Sequence, residues 1–434
     1  ALITLFGMLW MSVASSFAAE TYVDPKDYQV FKTFIEQAGH SIDEYEFTTE
    51  FEVLGLDEGY LMIKMPHRKK ESNISRLDER VMVNDKGRIL AIDINGGEIS
   101  SLKLLESLTE LISISINDTN LASLSLQNLK GLVNLSLGDN KIQQVQVLKN
   151  LPSLRRIELS YNKLSNVNGI GDLRKLERLS LGVNRMSSIE NFGRFENLKY
   201  LDLEGSSLKH VGGLKGLLNL EMLSLNGQPI EDLAPLGELK ALKSLLLSNV
   251  KDVDLAPINH LEGLEFLRVF YSPIESLDGI RELPNLRILL VTEGELKNIG
   301  NLSKMVSLVE LDLSNNPLVS MKGVGGLISL KELTLENTNI KKIEDLENLS
   351  NLEKLVLTGS LIEKMEGLDG LTSLVQLKMS ATNISKIENY ENLAKLQNFF
   401  CYKTPAIKNR KENAEALSIL KKFTYENWLN RHEE

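Results

Sequence analysis

The sequence predicts an α/β solenoid built from about fifteen stacked units that share one parallel β-sheet. Two observations lead to this expectation. A pattern of the form LxxLxLxxNxI, seen in residues 132–142, recurs with a 22-residue period along most of the chain. Its alternating apolar residues have the period of two that places side chains on one face of a strand. One such unit cannot bury its own apolar stripe, so neighbouring units have to stack.

The repeat frame accounts for most of the chain. It begins at Ile89, Leu111, Leu132, Leu154, Leu176, Leu198, Leu220, Leu242, Leu264, Leu286, Leu308, Leu330, Leu352, Leu374 and Leu396. Successive starts keep the same 22-residue spacing, except that Leu132 follows Leu111 one position sooner. At about 4.8 Å per strand, these units predict a sheet about 70 Å long, with its parallel strands on the concave face of a curved arc.

The second half of each unit predicts a return segment that leads back to the next strand. In the unit that starts at Leu132, the apolar residues Ile142, Val145, Leu148 and Leu151 are spaced by three. That spacing suits a short 3₁₀-like or irregular segment, so we expect such segments opposite the sheet.

The repeat resembles that of the leucine-rich-repeat superfamily. It is most similar to the 22-residue subclass found in bacterial internalin-type proteins and in a eukaryotic cytosolic phosphatase-regulatory family. The resemblance covers residues 89 to about 407. It implies that the residue after LxLxx is an Asn whose buried amide satisfies backbone groups of the loops. Asn140, Asn162, Asn184 and Asn316 stand there, and Ser or Thr, which can form part of such a ladder, stands at most of the other positions.

The region 20–86 is predicted to cap the first repeat, because the terminal units of a solenoid expose an apolar face. Asp24 and Pro25 precede apolar residues at helical spacing, which predicts a short amphipathic helix. Two β-hairpins are expected to follow, joining residues 45–53 to 61–65 and residues 81–83 to Ile89.

The repeats are assigned to residues 87–407 and a helical cap to residues 408–434. Ala416, Leu420, Phe423 and Trp428 mark the apolar face of the expected C-terminal helix. Neither end has the cysteine-rich caps typical of animal secreted leucine-rich-repeat proteins, and this favours a bacterial source.

The stretch Ala1–Ala19 predicts a secretory signal peptide. It carries no charge, is largely apolar through Val13 and ends in small residues, so cleavage is expected near Ala19 or Glu20. The protein is therefore expected to be exported, to the periplasm or to the cell surface or medium, without stable membrane insertion after cleavage. A retained signal anchor is the rival interpretation, but the unbroken apolar run is short for a bilayer span.

Composition and motifs argue against an enzyme and against nucleic acid as a partner. Lys+Arg 49 against Asp+Glu 59 gives a net charge of −10, whereas phosphate binding needs a basic surface. The sequence has no GxSxG, phosphate-loop or CxxC motif, and none of its five histidines lies at ligand spacing from another His, Cys or carboxylate. Cys401, the single cysteine, stands where other repeats have Leu, Ile, Val or Met, so we expect a core residue. No catalytic residue, cofactor or metal site is predicted.

The outward residues of the strands predict a binding surface in the middle of the repeats. The candidate partner-binding residues are Tyr200, Met222, Leu246, Phe266, Arg268, Phe270, Tyr271, Ile288 and Leu290. Adjacent units bring them side by side, and the acidic residues Glu310, Asp312, Glu332 and Glu336 follow. Exposed apolar patches mark binding sites, and Phe, Tyr, Met and Arg are enriched at interface centres. The partner is expected to be a protein or peptide; a neighbouring protomer or a cap segment that covers the patch is the alternative.

These features together predict an exported bacterial recognition protein that binds a protein or peptide on its concave sheet. One alternative is a structural or assembly scaffold of the cell envelope without a single high-affinity ligand. Another is a cytosolic regulator of the phosphatase-regulatory type. The 22-residue repeat alone would permit that regulator, but the apolar leader opposes it.

Overall fold

The computed structural model describes residues 23–38, 61–64, 80–83, 86–171, 173–190, 192–250, 254–280, 282–409, 411, 413 and 414. The chain divides into two compact units, Ala1–Met186 and Ser187–Glu434. The signal peptide predicted at residues 1–19, the strand predicted at 45–53 and the helix predicted around Leu420 lie outside the described residues.

The first unit contains one helix and a sheet that changes from antiparallel to parallel. Its elements are α1 (Pro25–Gln37), β1 (Leu61–Lys64), β2 (Arg80–Val83), β3 (Ile89–Asn95), β4 (Ser113–Asn117), β5 (Ser123–Gln127), β6 (Asn134–Ser136), β7 (Gln144–Lys149), β8 (Arg156–Glu158), β9 (Arg178–Ser180) and a 3₁₀ helix at Lys103–Ser107. β1, β2 and β3 pair antiparallel, which confirms the hairpin predicted between residues 81–83 and Ile89. β3, β4, β6, β8 and β9 then join in parallel, one strand for each repeat.

Helix α1 begins where the sequence predicts it. The side chain of Asp24 accepts hydrogen bonds from the backbone N–H of Lys26 at 3.0 Å and of Asp27 at 3.3 Å, and Pro25 occupies the first turn. The fully buried carboxylate of Asp27 accepts from Arg88 Nε at 2.8 Å and from Ile89 N at 3.0 Å. The helix is therefore tied to the first strand of the parallel array; its capping role stays a prediction.

Two return segments differ from the prediction. Gln144–Lys149, expected to be 3₁₀-like or irregular, forms strand β7. It pairs in parallel with β5, which lies in the return segment of the preceding repeat, in a separate two-stranded sheet. The prediction is wrong here because both segments alternate polar and apolar residues, Ser-Leu-Ser-Leu-Gln in β5 and Gln-Val-Gln-Val in β7. Such alternation, reinforced by β-branched valines, favours a half-buried strand over a 3₁₀ turn.

The second unit contains ten parallel strands in chain order. They are β10 (Tyr200–Asp202), β11 (Met222–Leu225), β12 (Ser244–Ser248), β13 (Phe266–Phe270), β14 (Ile288–Thr292), β15 (Glu310–Asp312), β16 (Glu332–Thr334), β17 (Lys354–Val356), β18 (Gln376–Lys378) and β19 (Asn398–Phe400). Return segments include 3₁₀ helices at Phe192–Arg194, Gly212–Leu214, Ala234–Glu238 and Ala256–His260, and helix α2 spans Pro405–Lys408. With the five parallel strands of the first unit, these ten give one strand to each of the fifteen predicted repeats. The 3₁₀ helices confirm the expected type of return segment in part of the second unit.

The core consists of the apolar residues of the repeat pattern. In β13, Leu267 and Val269 are buried, whereas the alternating residues Phe266, Arg268 and Phe270 are half-buried. This confirms that the strand residues alternate between the core and the outer face. Cys401 is only 1% exposed, and burial raises the pKa of its thiol to about 12, which confirms that it is a core residue.

Buried amides link successive repeats, as the resemblance implies. Asn162 Oδ1 accepts from Ile142 N at 2.9 Å, and its Nδ2 donates to the carbonyl oxygen of Leu137 at 2.9 Å, both in the preceding repeat. Gln228 makes the corresponding bonds with its longer side chain, which the sequence pattern did not indicate. Side-chain hydroxyls bond the carbonyl oxygen three residues earlier at Thr338, Ser360, Thr382 and Thr404, and so form part of the ladder.

The residue before each ladder position has a left-handed backbone. Positive φ angles occur at Asp118, Asp139, Tyr161, Val183, Gly205, Gly227, Asn249, Tyr271, Glu293, Asn315, Asn337, Gly359, Ala381 and Lys403. Glycine adopts this conformation without strain, whereas a β-branched residue such as Val183, at φ 52°, does so at a cost. The turn is therefore imposed by the repeat and not by the local residue.

Exposed ion pairs in the second unit also follow the repeat spacing. Glu221 lies 3.9 Å from Lys199 and 3.0 Å from Lys243, which occupy the same position in the preceding and the following repeat. Lys331 and Glu353 form a similar pair at 2.9 Å. Exposed pairs contribute about 0–1 kcal/mol each, so they favour the register but do not hold the fold.

Candidate partner-binding face

The candidate residues other than Tyr271 lie on the outer face of strands β10 to β14, which we call the strand face, and Tyr271 stands in the turn directly after β13. The parallel register aligns them in rows that cross the strands. The first row is Tyr200, Met222, Ser244, Phe266, Ile288 and Glu310. The second row is Asp202, Ser224, Leu246, Arg268, Leu290 and Asp312. Phe270 lies beyond these rows, between Ser248 and Thr292.

Five apolar residues come together on this face and are called the apolar cluster: Leu246, Phe266, Phe270, Ile288 and Leu290. Phe266 pairs with Ile288 in the register, and Arg268 separates Leu246 from Leu290. All five are half-buried, so each keeps part of its side chain accessible. Neighbouring parallel strands lie about 4.8 Å apart, so Phe266 and Ile288 are direct cross-strand neighbours, and the other three residues lie one or two strand positions away from them.

Tyr200 and Met222 continue the first row on the β10 side. Met222 pairs with Ser244, whose small polar side chain stands between it and Phe266 in that row, whereas Leu246 is diagonal to both Met222 and Phe266. The contiguous apolar patch expected from Met222 to Leu290 stays a prediction. The position of Ser244 follows from the 22-residue spacing, which places it midway between Met222 and Phe266.

Arg268, Phe270 and Tyr271 form a small stacked group at one edge of the apolar cluster. The guanidinium carbon of Arg268 lies 4.3 Å from the centre of the Phe270 ring, within cation–π range. The Phe270 and Tyr271 rings lie 5.2 Å apart at 56°. Tyr271 is 62% exposed, although its backbone is held in the left-handed turn at φ 48°. The group thus presents an accessible aromatic ring beside a positive charge.

Carboxylates border the apolar cluster on its β15 side. Glu310 pairs with Ile288 on one side and with Glu332 on the other. Lys354 Nζ lies 2.8 Å from Glu332 Oε2, so the lysine is engaged by the second of these carboxylates. Burial, followed by repulsion from Glu332 and Asp312, raises the pKa of the Glu310 carboxyl, while Lys354 opposes the shift. A half-buried carboxylate therefore adjoins the apolar cluster and forms no salt bridge among the described residues.

The described residues contain no candidate metal site. No group of three His, Cys, Asp or Glu residues there could hold a metal ion. His210 and His260 are both exposed. Within the same part of the chain, no helix has the length and apolar character needed to cross a bilayer.

No protein-family model matches the sequence, and no curated protein is significantly similar to it. Solved structures do resemble the fold. A leucine-rich-repeat protein of Leptospira interrogans superposes with a TM-score of 0.69 at 24% identity, over 78% of this chain and 91% of that one. An internalin of Listeria monocytogenes gives 0.59 at 24% identity, over 73% and 89%. The plant peptide hormone receptor RGFR1 in complex with RGF2 gives 0.53 at 21% identity, over 75% and 60%. These likenesses show that the chain has the leucine-rich-repeat fold.

Proposed function

We propose that this leucine-rich-repeat chain is a non-catalytic recognition protein that binds a protein or peptide on its strand face. The observation that carries the proposal is the apolar cluster beside an exposed tyrosine. The core already buries the Leu residues of the same strands, so the cluster is not needed to complete the core. Among the structural neighbours, the plant receptor is described in complex with RGF2, and this supports recognition as the use of the fold.

The arrangement of the apolar cluster suits an interface. Apolar and aromatic side chains form its centre, and polar or charged residues, Ser244 and Glu310, stand at its borders in the same row. Protein interfaces have this anatomy, with a few aromatic or Arg residues contributing most of the binding free energy. We therefore assign the central contact to Phe266, Phe270 and Tyr271.

We also propose that the protein is bacterial and exported. The support is the uncharged apolar stretch Ala1–Ala19 and the bacterial origin of two of the structural neighbours. Mass spectrometry of the N-terminus of the native protein tests this. A chain that starts near Glu20 agrees with export, whereas an uncleaved cytosolic chain would contradict it and favour the phosphatase-regulatory type.

Binding is tested by selecting dodecapeptides from a random display library on the immobilised full chain. Ser244→Arg should weaken binding of the selected peptides by about 30-fold or more, because it places a long charged side chain in the middle of the face. Ser244 points outward and removes no core contact, so the variant should unfold at the wild-type temperature. Ile328→Arg is the matched control, since Ile328 is 53% exposed in a return segment away from the strand face.

A second variant, Phe266→Ala with Phe270→Ala, removes the rings themselves. Leu218→Ala with Val306→Ala is its control, because these residues are 61% and 48% exposed but do not lie on a strand. The proposal requires loss of binding in the first pair and none in the second. Selected peptides that bind all four variants as tightly as the wild type would contradict it.

A further inference from the structure

The apolar cluster and the carboxylates beside it have a fixed order across the strands. Phe266 lies in β13, Ile288 in β14, and Glu310 and Asp312 in β15. With about 4.8 Å between neighbouring strands, the carboxylates stand about 10 Å from the Phe266 position and directly next to Ile288. A ligand that covers the apolar cluster therefore meets negative charge at one side of its contact area.

Glu310 and Asp312 form no salt bridge within the described part of the chain, although Lys354 lies close enough to lower the pKa of the Glu310 carboxyl. Lys354, the nearest lysine of the strand face, is engaged by Glu332 at 2.8 Å. Asp312 Oδ1 accepts hydrogen bonds from within its own turn, from the backbone N–H of Ser314 at 2.9 Å and from the Ser314 hydroxyl. Glu310 has like charges nearby in Glu332 and Asp312, and an apolar neighbour in Ile288.

An apolar ligand without charge would make the ionised Glu310 carboxylate less stable. Covering Ile288 and Glu310 together removes water from a carboxylate, and a desolvated charge is costly unless it is paired. A ligand with an acidic residue there would add repulsion. A ligand that brings a cation gains a charge-assisted hydrogen bond in the same place.

We propose that the partner is a polypeptide segment that places apolar side chains on Leu246, Phe266, Phe270, Ile288 and Leu290 and a Lys or Arg side chain between Glu310 and Asp312. The basic residue lies about 10 Å from the apolar residue that contacts Phe266. That distance corresponds to about three residues in a polyproline II segment, whose side chains recur on one side every three residues, or to about seven in a helix. The inference rests on the proposed use of the strand face and adds the charge and the spacing of its ligand.

The stack of Arg268 on Phe270 is consistent with a ligand whose basic residue lies on the β15 side of the apolar cluster. The cation of Arg268 lies on the β13 side, over the Phe270 ring, and not on the β15 side. Positive charge of the protein and negative charge of the protein are therefore on opposite sides of Leu290, which lies between Arg268 and Asp312 in the second row. A bound segment with one basic residue is therefore favoured in the orientation that places this residue on the β15 side, away from Arg268.

The dodecapeptide selection provides the first test. Peptides selected by the wild type should be enriched in Lys or Arg at three or four, or at seven, positions from an apolar residue. The same selection on the Glu310→Gln variant should lose this enrichment while keeping the apolar residues. Wild-type peptides with no basic enrichment at either spacing would overturn the inference.

A double-mutant cycle gives the decisive measurement. One selected peptide is compared with a copy in which its basic residue is replaced by norleucine, on the wild type and on Glu310→Gln. Each single change should weaken binding about tenfold, and the second change should add little once the first is made. Glu347→Gln, which removes the same charge from an exposed return segment, should leave the affinity unchanged.

The outcomes separate this inference from the proposed function. Independent, additive effects of the two changes, or no effect of Glu310→Gln, would overturn the basic-residue contact while binding through Phe266 and Phe270 stands. Failure to select any peptide whose binding depends on Phe266 and Phe270 would overturn both.

Discussion

Replacing Asn162 with Ala should destabilise the first unit by about 2–4 kcal/mol. Asn162 is 7% exposed, and its Oδ1 is the acceptor for the buried backbone N–H of Ile142 at 2.9 Å. Leaving one buried donor unsatisfied costs about 1–3 kcal/mol. The carbonyl oxygens are less affected, because Leu137 O also accepts from Asn140 Nδ2 at 3.1 Å and Leu159 O from Asn184 Nδ2 at 2.9 Å. Loss of the hydrogen bonds that Asn162 Nδ2 donates to these two oxygens adds about 1 kcal/mol.

Asn162→Thr should cost less than Asn162→Ala. A threonine keeps the bond to the carbonyl three residues earlier, as Thr338 does with Leu335 O at 3.0 Å. The reverse change, Thr338→Asn, should stabilise the second unit by about 1 kcal/mol. The new amide would reach the backbone N–H of Leu318 and the carbonyl of Leu313, as Asn316 reaches Leu296 N at 3.0 Å one repeat earlier.

Urea unfolding of the full chain, together with hydrogen exchange at the Ile142 amide, measures these effects. Exchange is needed because solenoid repeats can unfold separately from one another. Asn168→Ala, an exposed asparagine of the same repeat, is the control and should leave both readings unchanged. Protection of the Ile142 amide that survives Asn162→Ala would refute the reasoning.

Three further predictions concern single positions. Val183→Gly should stabilise the first unit by about 1 kcal/mol, because Val183 has φ 52° while glycine holds the same turn at Gly205 and Gly227; an unfolding midpoint below the wild type would count against it. Asp27→Ala should release helix α1 from Arg88 and Ile89 and destabilise it by about 3 kcal/mol, seen as faster proteolysis near Gln37, and unchanged cleavage would show that other contacts hold the helix. Cys401, whose pKa is raised to about 12, should stay protonated at pH 8 and react with a thiol reagent only after unfolding, so rapid labelling of the folded protein would contradict its burial.

The repeat pattern was sufficient to predict the parallel strands and the buried leucines. The period of two in LxL decides which side chains face the core, and the 22-residue spacing decides which residues become neighbours. The same spacing places Ser244 between Met222 and Phe266 in the first row, a detail that the prediction of one apolar patch did not include. The spacing of three in Gln144–Lys149 was also misleading, since the segment alternates polar and apolar residues and forms a strand.

Other features depend on geometry that a single sequence does not contain. Gln228 is one methylene longer than Asn, and only the three-dimensional placement shows that its amide still reaches Leu208 N at 2.8 Å. Asn413 lies outside the repeat frame, yet its buried side chain accepts from Ile387 N at 2.8 Å and donates to Ala406 O at 3.0 Å. That Glu310 forms no salt bridge in the described part of the chain likewise becomes clear only from the pairing of Lys354 with Glu332.

The in-register ion pairs of the second unit have a consequence for how such a surface can change. Glu221 contacts Lys199 and Lys243, each one repeat away, so insertion or removal of one whole repeat leaves the remaining backbone register intact. Such a change would alter the distance between two features of the strand face only in steps of one strand, about 4.8 Å. One added repeat between β14 and β15 would move Glu310 from about 10 Å to about 15 Å from Phe266 without altering either side chain. The number of repeats between Phe266 and Glu310 therefore determines the spacing that a ligand needs, independently of the side chains that contact it at either point.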